Sequence, residues 1–240
     1  MAAPEQGLLS PRIIAVSAPS LREGEAVQFS DPAVAAVFAD YERRAAEDAA
    51  RMAALGDAVG AHIDEFLLPI GPDTGRFIHS LILAKRPARI LELGTSYGYS
   101  TLILADAARQ AGGRLITMDL ADYKQAHARA MIERAGLADV VEFRLGDAVT
   151  MIADDPGPFD LILLDIWKDL YIPCLEAFLP KLSDEAIVVA DNMVEPVTAR
   201  AQVRRYREAV RAVPELHSAL LPIGSGIELS VRWAADSAKL

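Results

Sequence analysis

The sequence predicts an α/β fold: a seven-stranded, mostly parallel sheet with helices on both faces and one antiparallel strand. Three observations carry that expectation. From residue 74 onward helical and extended patterns alternate, as in strand–crossover–strand units. The extended runs are nearly continuous in apolar and β-branched residues, the pattern of strands buried on both faces. The last two runs are separated only by residues 222–226, too few for a parallel crossover, so one of them must run antiparallel.

Residues 1–30 are rich in Pro, Gly and Ser without a sustained period. They are expected to form a loosely ordered arm with a short extended stretch at 12–16. Asp31-Pro32 then opens a helix, with Asp as N-cap and Pro in the first turn. Val34, Val37, Phe38, Tyr41, Ala45 and Met52 keep a helical spacing up to Gly56, and a second helix is expected at 57–67. This N-terminal helical region, 31–68, packs on the main domain, covers its active site or pairs subunits; a homodimer is one of the open expectations. The main domain, 69–240, starts with a helix at 74–84 and a strand at 89–93. Helix 99–110 leads to strand 114–118, helix 123–134 to strand 140–144, and a short helix at 148–153 to strand 159–164. Helix 170–179 leads to strand 186–190, and helix 198–212 to strands 216–221 and 227–233.

Acidic residues outnumber basic ones by 34 to 24, for a formal charge of -10, which argues against nucleic acid or an anionic membrane as a partner. No apolar run reaches membrane-spanning length, and the N-terminus lacks the positive start and apolar core of a signal peptide. A single cysteine, Cys174, excludes an intrachain disulfide and sits in an apolar helical stretch as a buried thiol. A cytoplasmic protein is expected. The four histidines have no metal-ligand spacing, and the arginines at 200, 204, 205, 207 and 211 read as a solvated helix face with salt links to acids.

Chemistry gathers at the strand ends. The strand at 159–164 closes on Asp165-Ile166-Trp167-Lys168, and the strand at 186–190 on Asp191-Asn192. Neighbouring parallel strands would bring three oxygen ligands and one amine to the same sheet edge. Hard oxygen ligands suit Mg²⁺ or a similar divalent cation, and a lysine beside them can take a proton. The first strand runs into Glu92-Leu93-Gly94-Thr95-Ser96-Tyr97-Gly98-Tyr99-Ser100, where Gly94 and Gly98 permit a tight turn and close approach of a ligand. Asp119 ends the next strand, placed to bind ribose hydroxyls. The loop lacks the G-x-G-x-x-G fingerprint of dinucleotide folds and the Gly-Lys-Ser/Thr of a P-loop, which leaves a nucleoside site of another kind. Gly146-Asp147-Ala148 sits at the third strand end, where Asp147 reads as a helix N-cap or an adenine contact.

Leu91-Glu92-Leu93-Gly94, Gly98-Tyr99-Ser100, Leu164-Asp165 with Trp167-Lys168-Asp169, and Ala190-Asp191-Asn192 together resemble the catechol O-methyltransferase family over roughly residues 66–233. The resemblance implies the class I, Rossmann-like methyltransferase fold and S-adenosyl-L-methionine as methyl donor. It implies that Asp165, Asp191 and Asn192 hold Mg²⁺ or another divalent cation and that Lys168 is the general base. Glu92, Gly94, Tyr99 and Ser100 resemble contacts to the methionine end of the donor, with Asp119, Leu120, Asp147 and Ala148 toward the adenosine. Ile70, Gly71, Asp165 and Trp167 resemble further cofactor contacts. Phe66, Leu68, Lys168, Asn192 and Pro196 resemble the acceptor slot. The chain departs from the family where Ile166 replaces a histidine, where Ala219 stands in place of a glutamate, and where Phe66 replaces a tryptophan. The expected activity is methyl transfer to one hydroxyl of a small catechol-like or vicinal-diol substrate. Two alternatives stay open: a hydroxylated acyl thioester or polyketide as acceptor, or a non-catalytic cofactor-binding scaffold.

Overall fold

A computed structural model describes residues 27–233. The extended stretch expected at 12–16 lies outside these residues. Helix α1 (Pro32–Leu55) begins where expected, because the Asp31 carboxylate accepts from the Ala33 amide at 2.8 Å and Pro32 occupies the first turn. It buries Val34, Val37, Phe38 and Tyr41, one stripe at i, i+3, i+4 and i+7, and stops at Gly56. The next segment, Gly56–Glu65, is a 3-10 helix rather than the α-helix expected at 57–67. Two glycines in ten residues, Gly56 and Gly60, weaken the α conformation there.

Helix α2 (Pro72–Lys85) leads to strand β1 (Arg89–Leu93), followed by α3 (Tyr99–Ala111) and β2 (Arg114–Asp119). Then come α4 (Asp122–Arg134), β3 (Val141–Leu145), α5 (Ala148–Asp154) and β4 (Phe159–Leu164). Helix α6 (Tyr171–Phe178), β5 (Leu182–Ala190), α7 (Arg200–Arg211), β6 (Leu216–Leu221) and β7 (Ile227–Arg232) complete the domain. Strand β5 begins four residues earlier than expected. Its first residues, Leu182-Ser183-Asp184-Glu185, are mostly polar, and Glu185 has a positive φ of 59°, which hides the strand from an apolar pattern.

The sheet order is β3-β2-β1-β4-β5-β7-β6, and β7 alone runs against its neighbours. Successive strand residues face opposite layers. Ile90, Leu115, Leu161, Leu163 and Val189 pack under α1 to α4, whereas Leu91, Leu93, Ile116, Ile162, Leu164 and Val188 pack under α5 to α7. Each such fully buried side chain stabilises the fold by roughly 1.5–3 kcal/mol.

Register then aligns the strand ends. Leu93 lies beside Met118 and Leu164, and Leu164 beside Ala190. Gly94, Asp119, Asp165 and Asp191 therefore emerge along one edge. The chain order reverses there, since β1 sits between β2 and β4, and the crevice outside such a switch point is where open α/β sheets bind ligands.

Candidate active site

Backbone bonds continue the ladder past the strands and hold this edge rigid. The Gly94 amide donates to the Met118 carbonyl at 3.0 Å, the Asp165 amide to Leu93 at 3.0 Å and the Asp191 amide to Leu164 at 3.1 Å. Gly94 has φ 102°, and a Cβ there would run into the Asp165 carbonyl. The glycine loop and the Asp165 strand end can meet only because residue 94 has no side chain.

Glu92 is fully buried behind this loop. Its Oε2 accepts from the hydroxyls of Thr101 and Thr117, each at 2.6 Å, while its Oε1 is buried with no hydrogen-bond partner. Gln125 donates to Thr95 at 3.2 Å and Thr95 lies 2.6 Å from Thr117, so a polar chain ends on Glu92. Burial pushes the Glu92 carboxyl up to about 7, against the hydrogen bonds from Thr101 and Thr117 that favour its ionised form. An unsatisfied buried carboxylate oxygen of this kind fits a ligand ammonium group. Asp119 closes the loop from the other side: Oδ2 accepts from the Ser96 amide at 2.7 Å and Oδ1 from the Ala121 amide at 2.8 Å. Leu120 beyond it is exposed. Asp147 caps α5, its Oδ1 accepting from the amide and hydroxyl of Thr150 at 2.8 Å each, as its N-cap reading expects, and Ala148 is buried behind it.

The second cluster lies one and two strands further along. Asp191 is completely buried, and neither of its carboxylate oxygens has a hydrogen-bond partner. Burial and the negative charge of Asp165 push its carboxyl well above the usual carboxylate range. Asn192 follows in the left-handed region, φ 58°, and its Oδ1 accepts from the Lys168 amine at 2.7 Å. The same amine lies 3.4 Å from Asp165 Oδ1 and 3.2 Å from the Ile166 carbonyl. It also donates to the Tyr171 hydroxyl at 2.6 Å.

Tyr171 is the member that sequence reading missed. It is fully buried, and its hydroxyl lies 3.1 Å from the carbonyls of both Leu164 and Asp191, bracing the two strand ends behind Lys168. Its spacing of three residues from Lys168 at a helix start was the available signal.

Among the described residues no group of three or more His, Cys, Asp or Glu is arranged to hold a metal. The set that fits a hard divalent cation is two carboxylates and an amide oxygen, Asp165, Asp191 and Asn192, and the orphaned oxygens of Asp191 are the observation that favours it. His79 is a buried partner of Asp106 at 3.0 Å, and Arg207 and Arg211 pair with the buried Glu228 at 3.1 and 2.6 Å. Both findings agree with the structural readings of these histidine and arginine residues. Burial also pushes the Cys174 thiol up to about 12, away from nucleophilic character.

Of the residues expected to flank the site, Trp167 and Leu68 are exposed, Leu68 with φ 47°, and Pro196 is exposed after a cis peptide bond. Phe66 is fully buried with the Arg51 guanidinium 5.1 Å over its ring. Ile70 is buried, and Gly71, φ 81°, precedes α2.

A family model described as O-methyltransferase matches residues 42–233. A catechol O-methyltransferase from Niastella koreensis is 34% identical over 152 residues, covering 62% of this chain and 67% of that protein. Caffeoyl-CoA O-methyltransferase 1 of Arabidopsis thaliana is 29% identical over 187 residues, covering 69% of this chain and 72% of that protein. Among solved structures, the O-methyltransferase from Bacillus cereus in complex with SAH superposes with a TM-score of 0.65 at 28% identity, over 80% of this chain and 99% of that one. With the seven-stranded sheet and the glycine-loop edge already in place, these matches show that the chain belongs to the O-methyltransferase family and is a class I, S-adenosylmethionine-dependent O-methyltransferase.

Proposed function

We propose that this enzyme methylates one hydroxyl of a small catechol-like or vicinal-diol acceptor, that it depends on a divalent cation, and that Lys168 is its general base. The observation that carries the reading is the convergence of Asp165 and Asn192 on the Lys168 amine, with Asp191 next to Asn192, its buried carboxylate having both oxygens unpartnered. A buried, unpaired carboxylate is costly unless a cation compensates it.

In this reading Asp165, Asp191 and Asn192 hold the cation, Mg²⁺ or a similar ion. When bound, the cation supplies charge stabilisation to an ionising acceptor hydroxyl, and S-adenosylmethionine supplies an electrophilic methyl group. The chain's own residues do the rest. Glu92 offers its free oxygen to the ammonium of the methionine end, with Gly94, Tyr99 and Ser100 around it. Asp119 and Leu120 border the ribose, Asp147 and Ala148 the adenine, and Ile70, Gly71 and Trp167 flank the cofactor. Phe66, Leu68 and Pro196 shape the acceptor slot. Lys168, held by Tyr171 and Asn192, takes the acceptor proton onto Nζ. Holding the acceptor in line with the methyl group can itself supply on the order of 7–11 kcal/mol.

An acyl-thioester acceptor is the second reading, favoured by the longer reach of the caffeoyl-CoA match, 187 residues against 152. A methylation assay over a panel of catechols, polyhydroxylated acids and hydroxylated acyl thioesters, with Mg²⁺ or with EDTA, separates them. We expect mono-methylated catechol products that disappear with EDTA and return with added Mg²⁺. Turnover that ignores EDTA would remove the cation from the mechanism, and turnover confined to thioesters would select the second reading.

A further inference from the structure

We infer that Tyr41 of α1 is a positioning residue for the cofactor loop, and that Glu42 beside it completes a strut setting both sides of Gly98. The inference rests on the glycine loop being the cofactor site and goes beyond it, because α1 carries none of the residues assigned above.

Tyr41 is completely buried, and its hydroxyl donates to the carbonyl of Tyr97 at 2.7 Å. The partners lie 56 residues apart, so the bond ties the N-terminal helix to the loop between β1 and α3. On the other side of Gly98, the Tyr99 hydroxyl donates to Glu42 Oε1 at 2.6 Å. Adjacent residues of α1 therefore grip the two residues that flank the glycine. Gly98 has φ 94°, and a Cβ there would lie 2.8 Å from the Tyr41 hydroxyl and 2.7 Å from the Ala128 methyl of α4. The glycine is thus closely packed between α1 and α4 in a backbone conformation that other residues rarely adopt.

The grip has a consequence for the ligand. Within the turn the Gly98 amide donates to the Thr95 carbonyl at 2.9 Å. With the Tyr97 carbonyl committed to Tyr41, the peptide plane between residues 97 and 98 is held at both its polar atoms. Without the hydroxyl, that plane is held by the Gly98 amide alone, and its carbonyl dipole is less firmly kept from the start of α3, where the amides that a methionine carboxylate would meet are presented. Fixing the plane beforehand removes that ordering cost from cofactor binding. The effect should fall on affinity, since none of these atoms reaches Lys168 or the acid edge.

The test is calorimetric titration of SAH and steady-state kinetics on the full chain, comparing wild type with Tyr41→Phe. Ile82→Val, a buried core change on α2, serves as a control for general destabilisation. One lost buried hydrogen bond predicts a Kd for SAH about tenfold weaker. KM for S-adenosylmethionine should rise in parallel, while kcat at saturating donor stays within about twofold. Glu42→Ala should weaken Kd in the same direction and supplies the reading if Tyr41→Phe does not fold. Unchanged SAH affinity in the folded Tyr variant, or an equal loss in Ile82→Val, overturns the inference alone. A wild-type chain that binds no SAH overturns the cofactor site and the strut together.

Discussion

Lys168 has four oxygen neighbours within 3.4 Å: Asn192, Tyr171, Ile166 and Asp165. These contacts fix the distance and direction of the amine, as proton transfer by a positioned base requires. Lys168→Met keeps the length of the stem and removes the amine. Loss of a general base typically costs 10²–10⁴-fold, so kcat should fall by about that much. SAH affinity, measured by calorimetry, should stay within about twofold, since the glycine loop and Glu92 lie on other strands. Equal loss of affinity and turnover would move Lys168 from the reaction to the cofactor. Asp165, Asp191 and Asn192 were legible because they follow directly on buried apolar strands, and Lys168 by its spacing from Asp165. Tyr171 and Tyr41 were not, because their roles depend on contacts made only once strands and helices are packed: Tyr171 reads as one more apolar helix residue, and Tyr41 as part of the buried stripe of α1.

At the scale of elements, the site depends on how closely β1 and β4 can approach at their carboxyl ends. Gly94 is where they meet, with its absent Cβ facing the Asp165 carbonyl. Gly94→Ala adds a methyl group where backbone already lies, in a conformation with φ 102° that alanine resists. The two strand ends must then separate, which displaces both the cofactor loop and Asp165. We expect Tm to fall by several degrees, as for an overpacked core site costing about 1–3 kcal/mol. SAH affinity and turnover should both be lost by more than tenfold. A Gly112→Ala change, also at a positive φ of 79° but with open space around it, should cost stability without touching affinity. Comparable SAH binding in the two variants would show that the contact at residue 94 does not position the site. Strands β1, β4, β6 and β7 were readable to within a residue because their apolar runs end at turns. The start of β5 was not: Ser183 is held by Asp160 at 2.7 Å, a tertiary contact that makes a strand out of a polar sequence.

Across the whole molecule, buried carboxyls with opposite surroundings shape the pH dependence of stability, Asp155 on the acid side and Glu92 and Asp191 on the alkaline side. Asp155 is held down to about 2 by Arg89, the Gly157 amide and Arg144, which outweigh its burial. Its folded value lies below its ordinary one, so its contribution is present above about pH 3.8 and is lost as pH falls toward 2. Glu92 does the reverse. Its carboxyl, raised to about 7, keeps its proton in the folded chain while the unfolded chain has lost it. Its contribution is therefore full below about pH 4.5 and is lost as pH rises through 7, a difference of about 3 kcal/mol at most. The ligand-free protein should be most stable near pH 5 and weaken on both sides. Glu92→Gln, which cannot ionise, should make the alkaline limb between pH 5 and 8 shallower, the remainder belonging to Asp191, and leave the acid limb unchanged. The same ionisation creates the negative oxygen that a methionine ammonium needs, so SAH should raise Tm more at pH 8 than at pH 5 in the wild type and lose that increment in Glu92→Gln. Thermal melts of the two proteins across pH 3 to 8, with and without SAH, decide it; parallel alkaline limbs would show that Glu92 carries neither the stability loss nor the ligand contact.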